Sequence, residues 1–214
     1  NLSAAETTAA AHVLVVRGGL QPKLADALMD QLSKLSWDTK AIMYGRVVNK
    51  HARYNVCFGD TSQEPDYEQG KGRVVAFASV PILNTFRSAV LPAFLGKEAE
   101  GLLGEGNYYY DSASCGIGFH GDTERKKVAA IRLGASMPLV FHWFCHHQPL
   151  GEPVRIDLHH GDLYVMSEKA VGSDWKSSSF PTLRHAAGSP KFLVVKQKKK
   201  KQLANEPTKK KLKL

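Results

Sequence analysis

His120 and Asp122 stand two apart in the run Ile117-Gly118-Phe119-His120-Gly121-Asp122. On an extended chain, residues i and i+2 project to one face, so this imidazole and this carboxylate could reach one ion together. A further imidazole from a distant strand would complete a two-histidine, one-carboxylate triad, a ligand set that leaves positions open on Fe(II) for co-substrate and oxygen. The chain holds nine histidines, so the third ligand has several candidates. A strand-end histidine beside a solvated aspartate has the same spacing, and what folds around the pair decides between the two.

The elements that must position this pair are mostly strands. Leu20, Leu24, Leu28, Leu32 and Leu35 recur at helical spacing behind Pro22, which suits a first helical turn, and predict an amphipathic helix over residues 21–35. Beyond residue 41 the pattern turns to short β-type runs punctuated by Gly, Pro, Asn and Asp, at 74–80, 107–110, 128–133, 139–144, 154–158, 162–166 and 192–195. Val154 to Leu158 alternates apolar and charged, as a strand with one wet face does. The expected fold class is mainly β with flanking helices, α+β, closing into a sandwich, barrel or jelly roll. Residues 61–73, with Pro65, Gly70 and Gly72, read as a loop, and no internal repeat is present.

Composition bounds the function classes. A chain of 214 residues can bury roughly 70% of the surface its unfolded form exposes, so neither a metal nor a disulfide is needed to fold it. No apolar run approaches the ~18 residues of a membrane span. Cys57, Cys115 and Cys145 are odd in number, far apart and without a C-x-x-C pair, which predicts a reducing compartment rather than a disulfide framework. The formal charge of +9 is concentrated: residues 197–214 carry eight lysines and one acid, +7, leaving +2 on the rest. A near-neutral body with a basic tail differs from a protein with a basic face. The tail is too polar to pack and is expected to be disordered.

Around the His-x-Asp pair the sequence resembles the AlkB-like family of iron and 2-oxoglutarate dependent dioxygenases, nearest to its nuclear DNA-repair branch. The matching stretches are Met43-Tyr44-Gly45, Arg53 through Phe58-Gly59-Asp60, Asn107-x-Tyr109 and Ile117-Gly118-x-His120-x-Asp122-x-Glu124-Arg125. They continue with Ile131-Arg132-Leu133-Gly134, His160-Gly161-Asp162-Leu163-x-x-Met166 and Trp175. Order and approximate spacing agree over residues 41 to about 196. The resemblance implies a double-stranded β-helix core, of the jelly-roll or cupin kind, over about 74–196 within a single domain of residues 1–196. It implies His120 and Asp122 as iron ligands, and Asn107 and Tyr109 as partners of 2-oxoglutarate. Glu124 and Arg53 fall at substrate-contacting positions, and Tyr44 where the branch places an aromatic finger that probes the base stack.

Two positions depart from the family pattern. Its distal histidine usually lies two residues after a tryptophan like Trp175, but that position is Ser177. The next histidine, His185, has small neighbours in Arg184-His185-Ala186-Ala187-Gly188 and is the expected third ligand. His159 and His160 precede a Gly-Asp turn where the family tolerates a non-ligand histidine, and His142, His146 and His147 are expected to pack or face solvent. The arginines that serve the distal carboxylate of 2-oxoglutarate in AlkB relatives are replaced on an expected last strand by Lys191 and Lys196. Lys196 lies at the spacing that collagen-type prolyl hydroxylases use and is the first choice, with Lys191 second and Arg132 and Arg184 as substitutes.

The resemblance therefore implies Fe(II), 2-oxoglutarate and O2 as cofactor and co-substrates, with ascorbate as a supporting reductant in vitro. The expected activity is oxidative demethylation of N-alkylated bases, releasing formaldehyde and succinate. The expected partner is nucleic acid, DNA before RNA, engaged by a monomer with no membrane, in an intracellular and nuclear setting. Lys198, Lys199, Lys200, Lys201, Lys209, Lys210 and Lys211 would add salt-sensitive phosphate attraction or serve as an import signal. Two other readings carry weight: the same iron chemistry on another substrate, 5-methylcytosine as in TET enzymes or a protein side chain, and a non-catalytic jelly-roll module that binds nucleic acid.

Overall fold

The computed structural model describes residues 9–195. Lys196 and the lysine tail, including Lys198, Lys199, Lys200, Lys201, Lys209, Lys210 and Lys211, lie outside the described residues, as does the expectation that the tail is disordered. The expected helix forms as α1 (Pro22–Ser33), opened by Pro22 in its first turn. Ala25 and Leu28 are buried on it, and Leu32 and Leu35 pack beside them, so the leucine stripe faces the core while Leu24 stays partly exposed.

The strands in chain order are β1 (Val13–Val16), β2 (Lys40–Met43), β3 (Arg46–Asn49), β4 (Tyr54–Gly59), β5 (Val74–Ala76), β6 (Gly104–Tyr108), β7 (Gly116–His120), β8 (Val128–Ile131), β9 (Met137–Cys145), β10 (Gln148–Leu158), β11 (Leu163–Met166) and β12 (Thr182–Gly188). They form a three-stranded sheet β1-β11-β8, a four-stranded sheet β10-β9-β12-β7, a hairpin β2-β3 and a small sheet β5-β4-β6. The described chain is thus mainly β with a few short helices, an α+β fold.

Side-chain alternation explains the layering. Val128, Tyr164 and Met166 join Leu139, Phe141 and Leu183 in one apolar cluster between the three- and four-stranded sheets. Ala129, Ile131 and Leu163, which point the other way, pack with Leu20, Ala25 and Leu28 around α1. A strand covered on both faces has no wet side, and accordingly β8 and β11 read Val-Ala-Ala-Ile and Leu-Tyr-Val-Met, near-continuous apolar runs. By contrast β10 is an edge strand. Its last residue, Leu158, is buried, whereas Val154 and Leu150 are exposed.

Two expectations are corrected. Residues 74–80 are not one strand: after β5 the chain makes a 3-10 turn at Phe77–Ser79 and continues through α2 (Pro81–Thr85), a π turn and α3 (Leu91–Leu95). Pro81 and Pro92 each sit in a first helical turn, where the missing N–H costs nothing. Residues 192–195 are not a strand either. β12 ends at Gly188, and Pro190, which cannot donate to a ladder, opens a 3-10 turn over Pro190–Phe192.

Candidate metal centre

β7 and β12 are antiparallel neighbours, and their register sets His185 opposite His120. The two rings approach to 4.4 Å between centroids. Asp122 lies just past the end of β7, where its backbone N–H donates to the Val171 carbonyl at 3.1 Å. That turn is possible because residue 121 is glycine: a Cβ there would lie 2.2 Å from the Gly172 carbonyl oxygen and 2.7 Å from Trp175 Cβ. With the turn in place, the ligand atoms of His120, Asp122 and His185 all fall within 4.8 Å of one another, a group that could hold a metal ion.

The electrostatics suit a cation at this point. Gly118 O lies 2.8 Å from His120 Nδ1 and can only accept, so Nδ1 carries the proton and Nε2 keeps its lone pair. Nε2 sits 3.7 Å from Asp122 Oδ1. His185 is pushed down to about 4, first by burial and then by His120, so it is a neutral imidazole near pH 7, the form that ligates metals. Its Nδ1 is buried with no partner in hydrogen-bond geometry, although the Ala170 carbonyl lies close enough to favour a proton on the ring. Asp122 Oδ2 is ion-paired with Arg125 Nη1 at 3.1 Å, and Arg125 also pairs with Glu105. Burial works to lower the Arg125 pKa, but Glu105 and Asp122 outweigh it and hold the guanidinium above its ordinary value. Two neutral-capable imidazoles and an anchored carboxylate form a mixed nitrogen and oxygen set that fits a divalent transition metal.

The other expected residues separate into three groups. Asn107 on β6 accepts from Arg53 Nε at 2.6 Å, and Tyr109 follows with its phenol raised by burial. Glu105, on the same face of β6 as Asn107, ties that strand to Asp122 through Arg125. Tyr44 caps the β2-β3 hairpin well out in solvent, 99% exposed, with φ of 51° beside Gly45 at 74°. Positive φ at both central turn residues matches the twist of a two-residue hairpin, yet an aromatic residue pays for it in strain. Glu124, two residues after Asp122, is exposed. Lys191 lies in the 3-10 turn at the Gly116 end of β7, with Nζ 5.2 Å from the Phe192 ring centroid. A place on a last strand beside the centre is therefore not available to it.

Ser177 stays apart from the cluster, its N–H donating to the Asp174 carbonyl and its hydroxyl 3.5 Å from Ser179 Oγ. His160 Nδ1 accepts from the Gly134 N–H, His159 Nδ1 meets Ser136 Oγ, and His142 Nε2 meets the Gly151 carbonyl. The Arg125 bridge to Glu105 had no signal in the sequence. The partners are 20 residues apart on unlike elements, and the adjacent Glu124-Arg125 reads as a solvated pair, which Arg125 does not form. Tyr164 was likewise silent, a strand aromatic among apolar neighbours; its phenol is pushed up to about 12, mainly by burial.

No family model matches the chain. It is 50% identical over 187 residues to "Uncharacterized protein R156" of Acanthamoeba polyphaga mimivirus, a match spanning 86% of this chain and 72% of the viral protein.

Proposed function

The chain belongs to one family with the mimivirus protein, and we propose that it is an Fe(II)- and 2-oxoglutarate-dependent dioxygenase acting on methylated or otherwise alkylated nucleobases. The observation that carries this reading is the convergence of His120, Asp122 and His185. Supporting it, the two histidines sit on neighbouring antiparallel strands of a four-stranded sheet that faces a second sheet across an apolar layer, an arrangement consistent with a double-stranded β-helix.

When bound, Fe(II) with 2-oxoglutarate and O2 supplies an oxidant that hydroxylates a C–H bond while the co-substrate is decarboxylated to succinate. A hydroxylated N-methyl group then leaves the base as formaldehyde. This chain's own residues do the positioning. Gly118 fixes the His120 tautomer, so Nε2 is free to ligate. Arg125 holds Asp122 and keeps its charge balanced. Asn107, oriented by Arg53, and Tyr109 offer polar groups on the β6 side. Glu124, exposed at the rim, is the acceptor available to an exocyclic amine. A base in a duplex must leave the stack, at about a few kcal/mol, and Tyr44 on its hairpin, with Ile42, Met43 and Val47 also exposed, is a wedge that could fill the gap. The lysines beyond residue 197 would add phosphate attraction.

The test is succinate formation by the iron-loaded full chain, with 2-oxoglutarate and a panel of single- and double-stranded oligonucleotides carrying N-methylated bases or 5-methylcytosine. Formaldehyde release with an N-methylated oligonucleotide supports the reading. Turnover confined to 5-methylcytosine or to peptides would move the substrate, and failure to bind iron would remove the enzyme.

A further inference from the structure

We infer that Arg132, with the hydroxyls of Tyr109 and Tyr164, forms the anion site for the distal carboxylate of the co-substrate. The inference rests on the dioxygenase reading and names a residue for a role that Lys191 is placed too far along β7 to fill. Arg132 follows directly on β8. Side chains alternate, so Arg132 shares a face with Val128 and Ala130, opposite to Ala129 and Ile131, which pack on the α1 side. Val128 belongs to the cluster between the two sheets, as do Tyr164 and Met166, and the register pairs Tyr164 with Ala130 and Met166 with Val128. Arg132 therefore points into the layer that the inner face of the four-stranded sheet closes, the face that carries His120 and His185.

Among the described residues no carboxylate pairs with Arg132. Arg132 Nε and Nη2 donate to the Ala135 carbonyl at 2.9 and 2.5 Å, and Nη1 lies 3.6 Å from Met137 Sδ. Burial lowers its pKa, and the opposing influences are the phenols of Tyr109 and Tyr164 rather than any carboxylate. Several other arginines have acids, Arg17 with Asp162, Arg73 with Glu64, Arg87 with Asp60 and Arg125 with Asp122 and Glu105, while Arg53 is bonded to Asn107 and Arg184 to Trp175 and His147. A guanidinium desolvated without a counter-ion is unfavourable, and its unused N–H groups call for an acceptor. Arg132 lies with its guanidinium 6.0 Å from the Tyr109 ring centroid. Among the described residues the tyrosine hydroxyls that donate are those of Tyr67 and Tyr110, which leaves Tyr109 and Tyr164 free to do so. Burial raises both phenols, so they remain donors. Tyr164 packs in the same cluster as Phe141, whose ring centroid lies 6.1 Å from that of His185, so these groups border the proposed metal centre. Arg184 is excluded by the same alternation: it neighbours His185 on β12, faces the other side of the sheet, and stacks on Phe144 and Trp175.

The experiment is an anaerobic titration of the Fe(II)-loaded full chain, following the charge-transfer absorption of the bound 2-oxo acid. Two ligands are compared: 2-oxoglutarate, and 2-oxopentanoate, in which a methyl group replaces the distal carboxylate. Wild type should prefer 2-oxoglutarate. Arg132→Gln, which still offers an N–H to the Ala135 carbonyl, should weaken 2-oxoglutarate about 10- to 100-fold and leave 2-oxopentanoate within about 3-fold, as loss of one charged hydrogen-bonding partner predicts. Arg132→Lys should recover part of the loss, and Tyr164→Phe should weaken 2-oxoglutarate by a few-fold. Should Arg132→Gln fail to fold, Tyr164→Phe and Tyr109→Phe carry the same comparison. Unchanged 2-oxoglutarate binding in these variants, or equal weakening of both ligands, overturns the anion site alone. Wild type that binds iron but neither ligand overturns the dioxygenase reading and the anion site with it.

Discussion

On the inner face of the four-stranded sheet, His120 and His185 bring their rings to 4.4 Å, with one ring nitrogen of His185 buried and unpartnered. On the outer face of the same strands, His142 packs against Phe119 and Phe144 and its Nε2 meets the Gly151 carbonyl at 3.0 Å, while Arg184 lies over the Phe144 ring at 4.3 Å. The residue types are alike and the strands are shared. The outer histidine has its polar requirement met by the protein, whereas the inner pair faces a carboxylate with lone pairs turned inward. What distinguishes the inner pair is convergence: the ligand atoms of His120, Asp122 and His185 lie within 4.8 Å of one another, whereas His142 is bonded to backbone and packed among rings.

The largest effect expected from breaking this contrast is at the inner pair. His185→Ala or His120→Ala should abolish stoichiometric iron binding, with affinity falling more than about 100-fold, measured by metal content after dialysis; retention of full iron by His185→Ala would rule out the ligand assignment. Next comes Gly121→Ala. Its methyl group would meet the Gly172 carbonyl and Trp175, so we expect roughly 1–3 kcal/mol or more of destabilisation and displacement of Asp122, read by thermal melting together with metal content. Arg125→Gln cuts the link from Glu105 to Asp122 and should lower metal affinity by about 10-fold with little change in melting, a second-layer effect that competition with a chelator would quantify. Smaller and on the other face, His142→Ala should lose roughly 1–2 kcal/mol of stability and no metal; an iron-free His142→Ala protein would erase the distinction between the faces. Tyr44→Ala should leave both metal content and stability unaltered while weakening duplex binding by about 1–3 kcal/mol, checked by fluorescence anisotropy.

Legibility in the sequence followed the range of the interaction. The leucine stripe of α1 is local, set by the 3.6-residue period, and appears where that period puts it; the His-x-Asp pair is local too, but Asp122 reaches His120 through the turn at Gly121 rather than along the strand. His185 was reached through the resemblance to AlkB-like proteins, and the register opposite His120 brings it to the same point. Strand β12 itself was not read, since Thr-Leu-Arg-His-Ala-Ala-Gly alternates weakly and its burial comes from neighbours on both sides. Lys-Phe-Leu-Val-Val has strand-like composition, yet Pro190 just before it opens a 3-10 turn instead. Arg132 stands in the sequence only as a substitute behind two lysines, and the link of Glu105 to Arg125 has no signal there, because no periodicity records which loop end meets which strand.

By itself, the sequence determined the helical stripe and marked the His120-x-Asp122 pair by its spacing, while the turn at Gly121 past the end of β7, and not alternation along a strand, sets where Asp122 lies. Tertiary structure decided which histidine joins that pair and the polarity of what surrounds the three. His120 and His185 are 65 residues apart, and only the pairing of β7 with β12, closed between β9 and the three-stranded sheet, makes them neighbours. The same packing takes Arg132 out of water without giving it an acid, a condition that depends on which side of β8 faces the second sheet.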